Sequence, residues 1–309
     1  MINTFEELKK IKKIHSVKRV SLTPEIKEKI GTPRATDAQK NEKQVNVFVY
    51  QYESNGHLVS GFLIEPKLKK GESERLPVIF FNRGGNRDFG IVRIGSFFLA
   101  LAEMARWGYI VIGSQYSGNV LSEGVDQFGG EELADIENLY PILKKLSRAD
   151  TKRIGMYGGS RGGMMTYLML KKVPWIRAAV TVAGVANLSR NKKLRPEMKK
   201  QYRETVGTGT NFEAALKARS AVYWADKFPK SVPLLMMHGS GDWRVSPLDS
   251  IDLSQKLYEQ KVPFRFVLFE GGDHSLTEFR KERMSLTKEW FDTYVMRREK
   301  LPNLKPHGD

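Results

Sequence analysis

The stretch Arg153-Ile154-Gly155-Met156-Tyr157-Gly158-Gly159-Ser160-Arg161-Gly162-Gly163-Met164-Met165 decides the fold. A short β-type run, Arg153 to Tyr157, meets a helical run, Gly162 to Lys172, at a Gly-x-Ser-x-Gly sequence. That is the setting of a nucleophile elbow, where a serine sits on a strained strand-to-helix turn with its hydroxyl pushed outward. Residues two before and two after the serine must lack bulk so that strand and helix can approach. With glycine and serine at roughly 7% each, the bare pattern arises by chance about once in ten chains of this length. Its position between a strand and a helix is what gives it weight.

Outward from this point, β runs and helical runs take turns. Before it come Val45 to Val49 and Leu58 to Ile64 around the turn signal Asn55-Gly56, which predicts a hairpin. Then follow Pro77 to Asn82 as β, Phe97 to Trp107 as helix, Tyr109 to Ser114 as β and Glu131 to Leu146 as helix. After it come Arg177 to Ala183 and Pro233 to Met237 as β, Leu248 to Gln260 as helix, Phe264 to Phe269 as β, and a terminal helix from about Ser275 to Arg298. Such alternation predicts an α/β fold with a mostly parallel central sheet covered by helices on both faces. Residues 187–230 interrupt the rhythm with a polar, Lys-rich stretch too long for a plain connection, which reads as a cap-like insertion. The expected organisation is a basic N-terminal arm over 1–44, a catalytic domain over 45–300 carrying that insertion, and a tail over 301–309.

Composition narrows the chemistry. The chain of 309 residues is 40% hydrophobic and 28% charged, which suits a packed globular domain. It has no cysteine, which removes disulfides, thiolate nucleophiles and cysteine-ligated metal sites. No apolar run approaches the roughly 18 residues of a membrane span, and residues 1–20 lack the apolar stretch of a secretory signal. The expectation is a cytoplasmic protein without a membrane span.

The net charge of +16 raises the question of nucleic acid, so its distribution matters. Residues 1–44 hold 11 Lys/Arg against 6 Asp/Glu, residues 187–230 hold 11 against 4, and residues 293–309 hold 4 against 2. The excess therefore lies on the arm, the insertion and the tail. No zinc-finger spacing, RNA-binding aromatic signature or basic zipper accompanies it, so no specific nucleic-acid partner is expected. Docking of the arm on a second copy of the chain, a homo-oligomer, stays open.

A serine hydroxyl is a poor nucleophile at neutral pH and needs a histidine to take its proton and an acid to orient that histidine. Of the five histidines, His15 and His307 lie in the appendages and His57 in the early hairpin. His238 and His274 follow the last two β runs. In α/β hydrolases the order is serine, acid, histidine, each on a loop at the carboxyl end of a strand. Ser160, Asp242 and His274 satisfy it, with spacings of 82 and 32 residues. His238 would precede its acid and reads as a structural histidine near a strand end. Asp226, Glu270 and Asp273 are acids less suitably placed than Asp242.

These blocks resemble the catalytic domain of the prolyl oligopeptidase family of serine hydrolases, from about Val45 to the terminal helix. The resemblance rests on Arg153 to Gly163, on His238-Gly239-Ser240-Gly241-Asp242-Trp243-Arg244-Val245-Ser246-Pro247 and on Glu270-Gly271-Gly272-Asp273-His274. It implies the α/β-hydrolase fold and an oxyanion hole made by the backbone N–H of Arg161 together with a donor from Asn82-Arg83-Gly84-Gly85-Asn86, with Gly85 preferred and Gly84 next. Removing one such donor typically costs about 2.7 to 4 kcal/mol of transition-state stabilisation.

Departures from the family pattern shape the substrate expectation. Relatives often carry His-Gly-Gly-Pro in the early loop, where this chain has Asn82-Arg83-Gly84-Gly85, and Gln115-Tyr116-Ser117-Gly118 replaces a usual Arg-Gly pair. The family's peptidases usually carry a β-propeller, which 44 residues before Val45 cannot build. The favoured expectation is therefore a serine hydrolase cleaving a small ester or amide through an acyl-enzyme, with esterase ahead. The alternatives are a prolyl oligopeptidase-like peptidase acting on short peptides, and a non-catalytic binding protein or acyltransferase on the same fold. No cofactor or metal is expected. Arg83, Tyr116 and Trp243 are the candidate substrate-binding residues, with Phe89 and Trp224 as further aromatics for an apolar pocket. Arg161 and Arg83 could recognise a substrate carboxylate or instead hold loops through buried carboxylates.

Overall fold

Asn55-Gly56 turns the chain back on itself, and the two flanking strands, β2 (Val45–Ser54) and β3 (His57–Pro66), pair antiparallel from Val45 opposite Pro66 to Ser54 opposite His57. An Asn-Gly pair favours the two-residue turn whose twist matches a hairpin. The computed structural model describes residues 3–67 and 75–307. The chain divides into two units, one of Met1–Asp126 and Ala134–Ile154, the other of Gln127–Leu133 and Gly155–Asp309.

In the first unit, β1 (Ile14–Arg19) pairs antiparallel with β2. β3 pairs antiparallel with β5 (Ile110–Ser114), and β5 runs parallel to β4 (Leu76–Asn82). Val78, Ile79 and Phe80 of β4 and all of β5 are buried, as expected of short continuous apolar runs. The segment expected as an arm is folded: besides β1 it forms helices Thr4–Lys9, Pro24–Ile30 and Thr32–Glu42. Its first helix is anchored by a buried polar cluster, in which Thr4 Oγ1 donates to Glu65 Oε2 at 2.8 Å and Arg148 Nη1 lies 2.8 Å from the same oxygen. Burial pushes the Glu65 carboxyl up, opposed by the charge of Arg148 and the donors on Thr4 and Asn46. Residues 1–2 of the arm and 308–309 of the tail lie outside the described residues.

β6 (Ala149–Gly159) begins in the first unit and ends in the second. There it runs parallel to β7 (Ala178–Val182), which pairs with β8 (Leu234–Gly239) and that with β9 (Phe264–Phe269), all parallel. The predicted mostly parallel α/β sheet is present, with antiparallel strands at its start. Helices Arg161–Lys172, Leu248–Glu259 and Arg280–Phe291 follow β6, β8 and β9. Every residue of the first of these from Arg161 to Leu170 is buried, so it is a central packing element rather than an amphipathic surface helix.

The terminal helix is shorter than the sequence predicts. Its regular part is Arg280–Phe291, with one wider turn over Asp292–Met296, and Phe291 packs where a side chain on Gly155 would otherwise sit. The insertion is helical, as Leu188–Leu194, Pro196–Thr205 and Phe212–Ala218 followed by two short turns. Among the described residues no helix is long and apolar enough to cross a membrane.

Candidate active site

Ser160 stands between β6 and the helix Arg161–Lys172 with φ 55° and ψ −123°. A non-glycine residue with positive φ is strained and persists only where its surroundings over-determine it. They do so here. The Ser160 N–H donates to the Val182 carbonyl of β7 at 2.8 Å, and the Ser160 carbonyl accepts from the N–H groups of Gly163 and Val185 at 2.9 and 3.2 Å. The requirement for a small residue two before the serine is met in space, since a Cβ on Gly158 would lie 2.1 Å from the Gly162 carbonyl oxygen.

β8 and β9 carry the acid and the imidazole. Their register places Gly239 opposite Phe269, so the loops that follow leave the sheet side by side. Ser240 N–H donates to the Phe269 carbonyl at 2.8 Å, Gly241 N–H to the Gly272 carbonyl at 3.0 Å, and Gly271 N–H to Ser240 Oγ at 2.7 Å. The close approach needs glycine at 239, where a Cβ would come within 2.1 Å of the Gly272 oxygen. These ties bring Asp242 to His274, whose Nδ1 lies 2.7 Å from Asp242 Oδ2. Asp273 caps the following turn, accepting from Ser275 and Thr277 N–H, and Asp226 pairs with Lys227, so neither competes for the ring.

The carboxylate of Asp242 is held on all sides. Oδ1 accepts from the N–H groups of Arg244 and Val245 at 2.8 and 3.0 Å. Oδ2 accepts from His274 and also from His238 Nε2, at 3.1 Å. Burial raises its pKa, but hydrogen bonds from both imidazoles, the charge of His274 and the Val245 N–H outweigh that and hold the carboxyl well below the usual carboxylate range. It is an ionised acceptor that fixes the His274 ring with Nδ1 protonated, leaving Nε2 as the nitrogen able to take a proton.

The structure thus brings Asp242 and His274 together in the unit that also holds Ser160. Among the described residues no hydrogen bond joins the Ser160 hydroxyl to the His274 ring. His238 is fully buried, as a structural histidine should be, but it sits on the same carboxylate, and nothing beyond its place four residues before Asp242 signalled that.

The arginines turn inward. Arg161 Nη2 lies 2.9 Å from Glu132 Oε1, with both side chains almost completely buried, and its guanidinium stacks 4.6 Å from the Phe128 ring centroid. Glu132, which no sequence signal marked, also accepts from the Gly130 N–H at 3.0 Å. Of the two roles weighed for Arg161, the structure favours holding a loop through a buried carboxylate. Arg83, in the first unit, is 1% exposed; its guanidinium donates to the carbonyls of Gln115, Gly84, Phe89 and Arg87 and stacks on Tyr116, which is also buried. Arg83 and Tyr116 therefore pack a loop in place of facing solvent. Gly85 lies in the loop after β4, which is closed by Phe89 N–H donating to the Asn86 carbonyl at 2.9 Å. Trp224 is buried against Phe228. Trp243 is 68% exposed, with the guanidinium groups of Arg195 and Arg244 5.2 and 5.1 Å from its ring.

An elbow serine and an oriented imidazole on the carboxyl ends of parallel strands define the class, a serine hydrolase of the α/β-hydrolase fold. The sequence model of the prolyl oligopeptidase family matches residues 96–297, well over half of the chain, and the chain belongs to that family. It is 28% identical over 226 residues to the uncharacterized peptidase YtmA of Bacillus subtilis, covering 72% of this chain and 83% of that protein. It is 24% identical over 228 residues to dipeptidyl-peptidase 5 of Porphyromonas gingivalis, covering 71% of this chain and 33% of that one. Among solved structures it is similar to the acylaminoacyl peptidase of Pyrococcus horikoshii, with a TM-score of 0.73 at 23% identity over 85% of this chain and 44% of that one. The chain thus spans less than half the length of the last two. The expected preference for esters is not supported. The relatives carry peptidase names, and for YtmA the match takes in most of the protein.

Proposed function

We propose that the chain is a serine peptidase that cleaves short peptides or acylated amino acids through an acyl-enzyme. His274 Nε2 takes the Ser160 hydroxyl proton as Oγ forms a bond to the scissile carbonyl carbon. Asp242 holds the ring and stabilises the imidazolium. The carbonyl oxygen, now negative, accepts from the Arg161 N–H at the start of the twelve-residue helix, whose dipole favours an anion there. His274 then gives the proton to the departing amine as the C–N bond breaks, and water repeats the cycle to release the acid from Ser160. The Ser160–His274 hydrogen bond forms when substrate is bound, since such bonds are often long in the free enzyme.

The observation that supports this most is the 2.7 Å contact of His274 Nδ1 with Asp242 Oδ2, in the unit that presents Ser160 on a strained turn. The relatives' names favour an amide bond: one solved neighbour is named an acylaminoacyl peptidase and one relative a dipeptidyl-peptidase. The insertion is suited to substrate selection, because Asn191 Nδ2 and Arg195 Nη1 both donate to the Arg244 carbonyl, two residues past Asp242.

A fluorophosphonate probe followed by a panel of acyl-aminoacyl, dipeptidyl and prolyl amides beside p-nitrophenyl esters tests the reading. Labelling lost in Ser160→Ala, with peptide amides turned over, is the expected result. Labelling without turnover of any amide would move the chain to the esterases or acyltransferases.

A further inference from the structure

We infer that His238 is a positioning residue of the catalytic machinery, a second imidazole that holds the Asp242 carboxylate and sets how strongly it acts on His274. The inference rests on reading Ser160, Asp242 and His274 as a triad, and it adds a residue to that triad.

A carboxylate has about four lone-pair sites. On Asp242 four donors fill them: the N–H groups of Arg244 and Val245 on Oδ1, and the rings of His274 and His238 on Oδ2. His238 Nε2 faces two acceptors at once, Asp242 Oδ2 at 3.1 Å and the Val245 carbonyl at 3.0 Å, so this nitrogen carries the proton. Nδ1 lies 2.7 Å from Ser250 Oγ, whose hydroxyl donates to it. Ser250 belongs to the helix Leu248–Glu259 and is itself buried, so a rigid element fixes the ring from behind. A hydrogen-bond line therefore runs Ser250, His238, Asp242, His274.

Both imidazoles share one oxygen. Negative charge drawn toward His238 is charge withheld from His274, because a donor to a carboxylate stabilises its ionised form and weakens its pull on other donors. Among the described residues, charged groups near this line include Arg244 next to Asp242 in sequence, Asp273 beside His274 with Glu278 on its N–H, Arg283 on the Ser275 carbonyl, and Asp249 next to Ser250, the last paired with Arg190. Asp249 accepts from the N–H groups of Ala186 and Asn187 and from Arg190, so both of its oxygens are engaged by these donors. Fully enclosed, His238 has no path to substrate and acts only through Asp242.

The test is 15N imidazole NMR on the full chain, following the His274 ring through a pH titration, beside the pH dependence of fluorophosphonate labelling at Ser160. Asparagine places its amide nitrogen near the Nδ1 position and does not reach Asp242, whereas glutamine places its own near Nε2. In His238→Asn the His274 midpoint should move to higher pH by about half a unit or more, and the acid limb of labelling should follow. His238→Gln should return both toward wild type. An unmoved midpoint in a folded His238→Asn protein, even with reduced labelling, marks His238 as structural only and overturns the inference. Should His238→Asn not fold, Ser250→Ala loosens the ring without deleting it. A smaller shift in the same direction is then expected, and no shift overturns the inference. A wild type that resists labelling would sink the peptidase reading, while the NMR midpoint still reports the coupling.

Discussion

Asp242 Oδ2 lies 2.7 Å from His274 Nδ1, a contact made across 32 residues by two loops that leave neighbouring parallel strands at the same end. The strand register alone brings the loops together, and the backbone bonds from Ser240 and Gly241 to the β9 side keep them so.

Asp242→Asn should lower kcat by about 10⁴-fold, since the imidazole loses the group that fixes its tautomer. It should also change the acid stability of the protein. The folded carboxyl lies below its unfolded value of about 3.9, so its contribution is full above that pH and is lost as pH falls. Thermal melts should separate wild type from Asp242→Asn at pH 7, and the gap should narrow toward pH 3.

Ser160→Ala should abolish labelling and turnover while leaving the melting temperature close to wild type. Ser160→Gly should be equally inactive yet more stable, by on the order of 1 kcal/mol, because glycine relieves the positive φ. Chemical denaturation of the two variants side by side checks the strain assigned to the elbow.

Glu132→Ala should destabilise the fold by about 3 to 5 kcal/mol, the usual result of stranding one member of a buried ion pair. Arg161→Ala should depress kcat/KM for acidic and neutral substrates by the same factor, since its guanidinium is spent on Glu132. A loss confined to acidic substrates would restore Arg161 as a substrate contact.

Gly158→Ala should be destabilised by about 1 to 3 kcal/mol or more and lose labelling, because the new methyl meets the Gly162 carbonyl oxygen. Urea unfolding midpoints and probe labelling on the soluble fraction measure both effects.

Much of the fold was legible because its signals are local. Val78 to Phe81 or Phe264 to Phe269 reads as a strand from its own side chains, and Asn55-Gly56 carries its turn in two residues. β1 carries no strand signal of its own, since Ile14–Arg19 has a mostly exposed pattern and becomes a strand only by pairing with β2. The terminal helix starts later than its side-chain pattern implies, because residues 270–279 form turns after β9 that Asp273 caps. For Arg83 and Arg161 the sequence leaves both a substrate carboxylate and a loop tie open, because it records a charge but not the carbonyls or the carboxylate that will surround it.

By itself the sequence places Ser160 between a strand and a helix and offers Asp242 and His274 in the order serine, acid, histidine, since these depend on short spacings and strand ends. Only the tertiary structure decided that two imidazoles meet one carboxylate oxygen and that Glu132 claims Arg161. Those pairings come from loops and helices distant along the chain, and their distances are set by strand register and packing, which no local run of residues encodes.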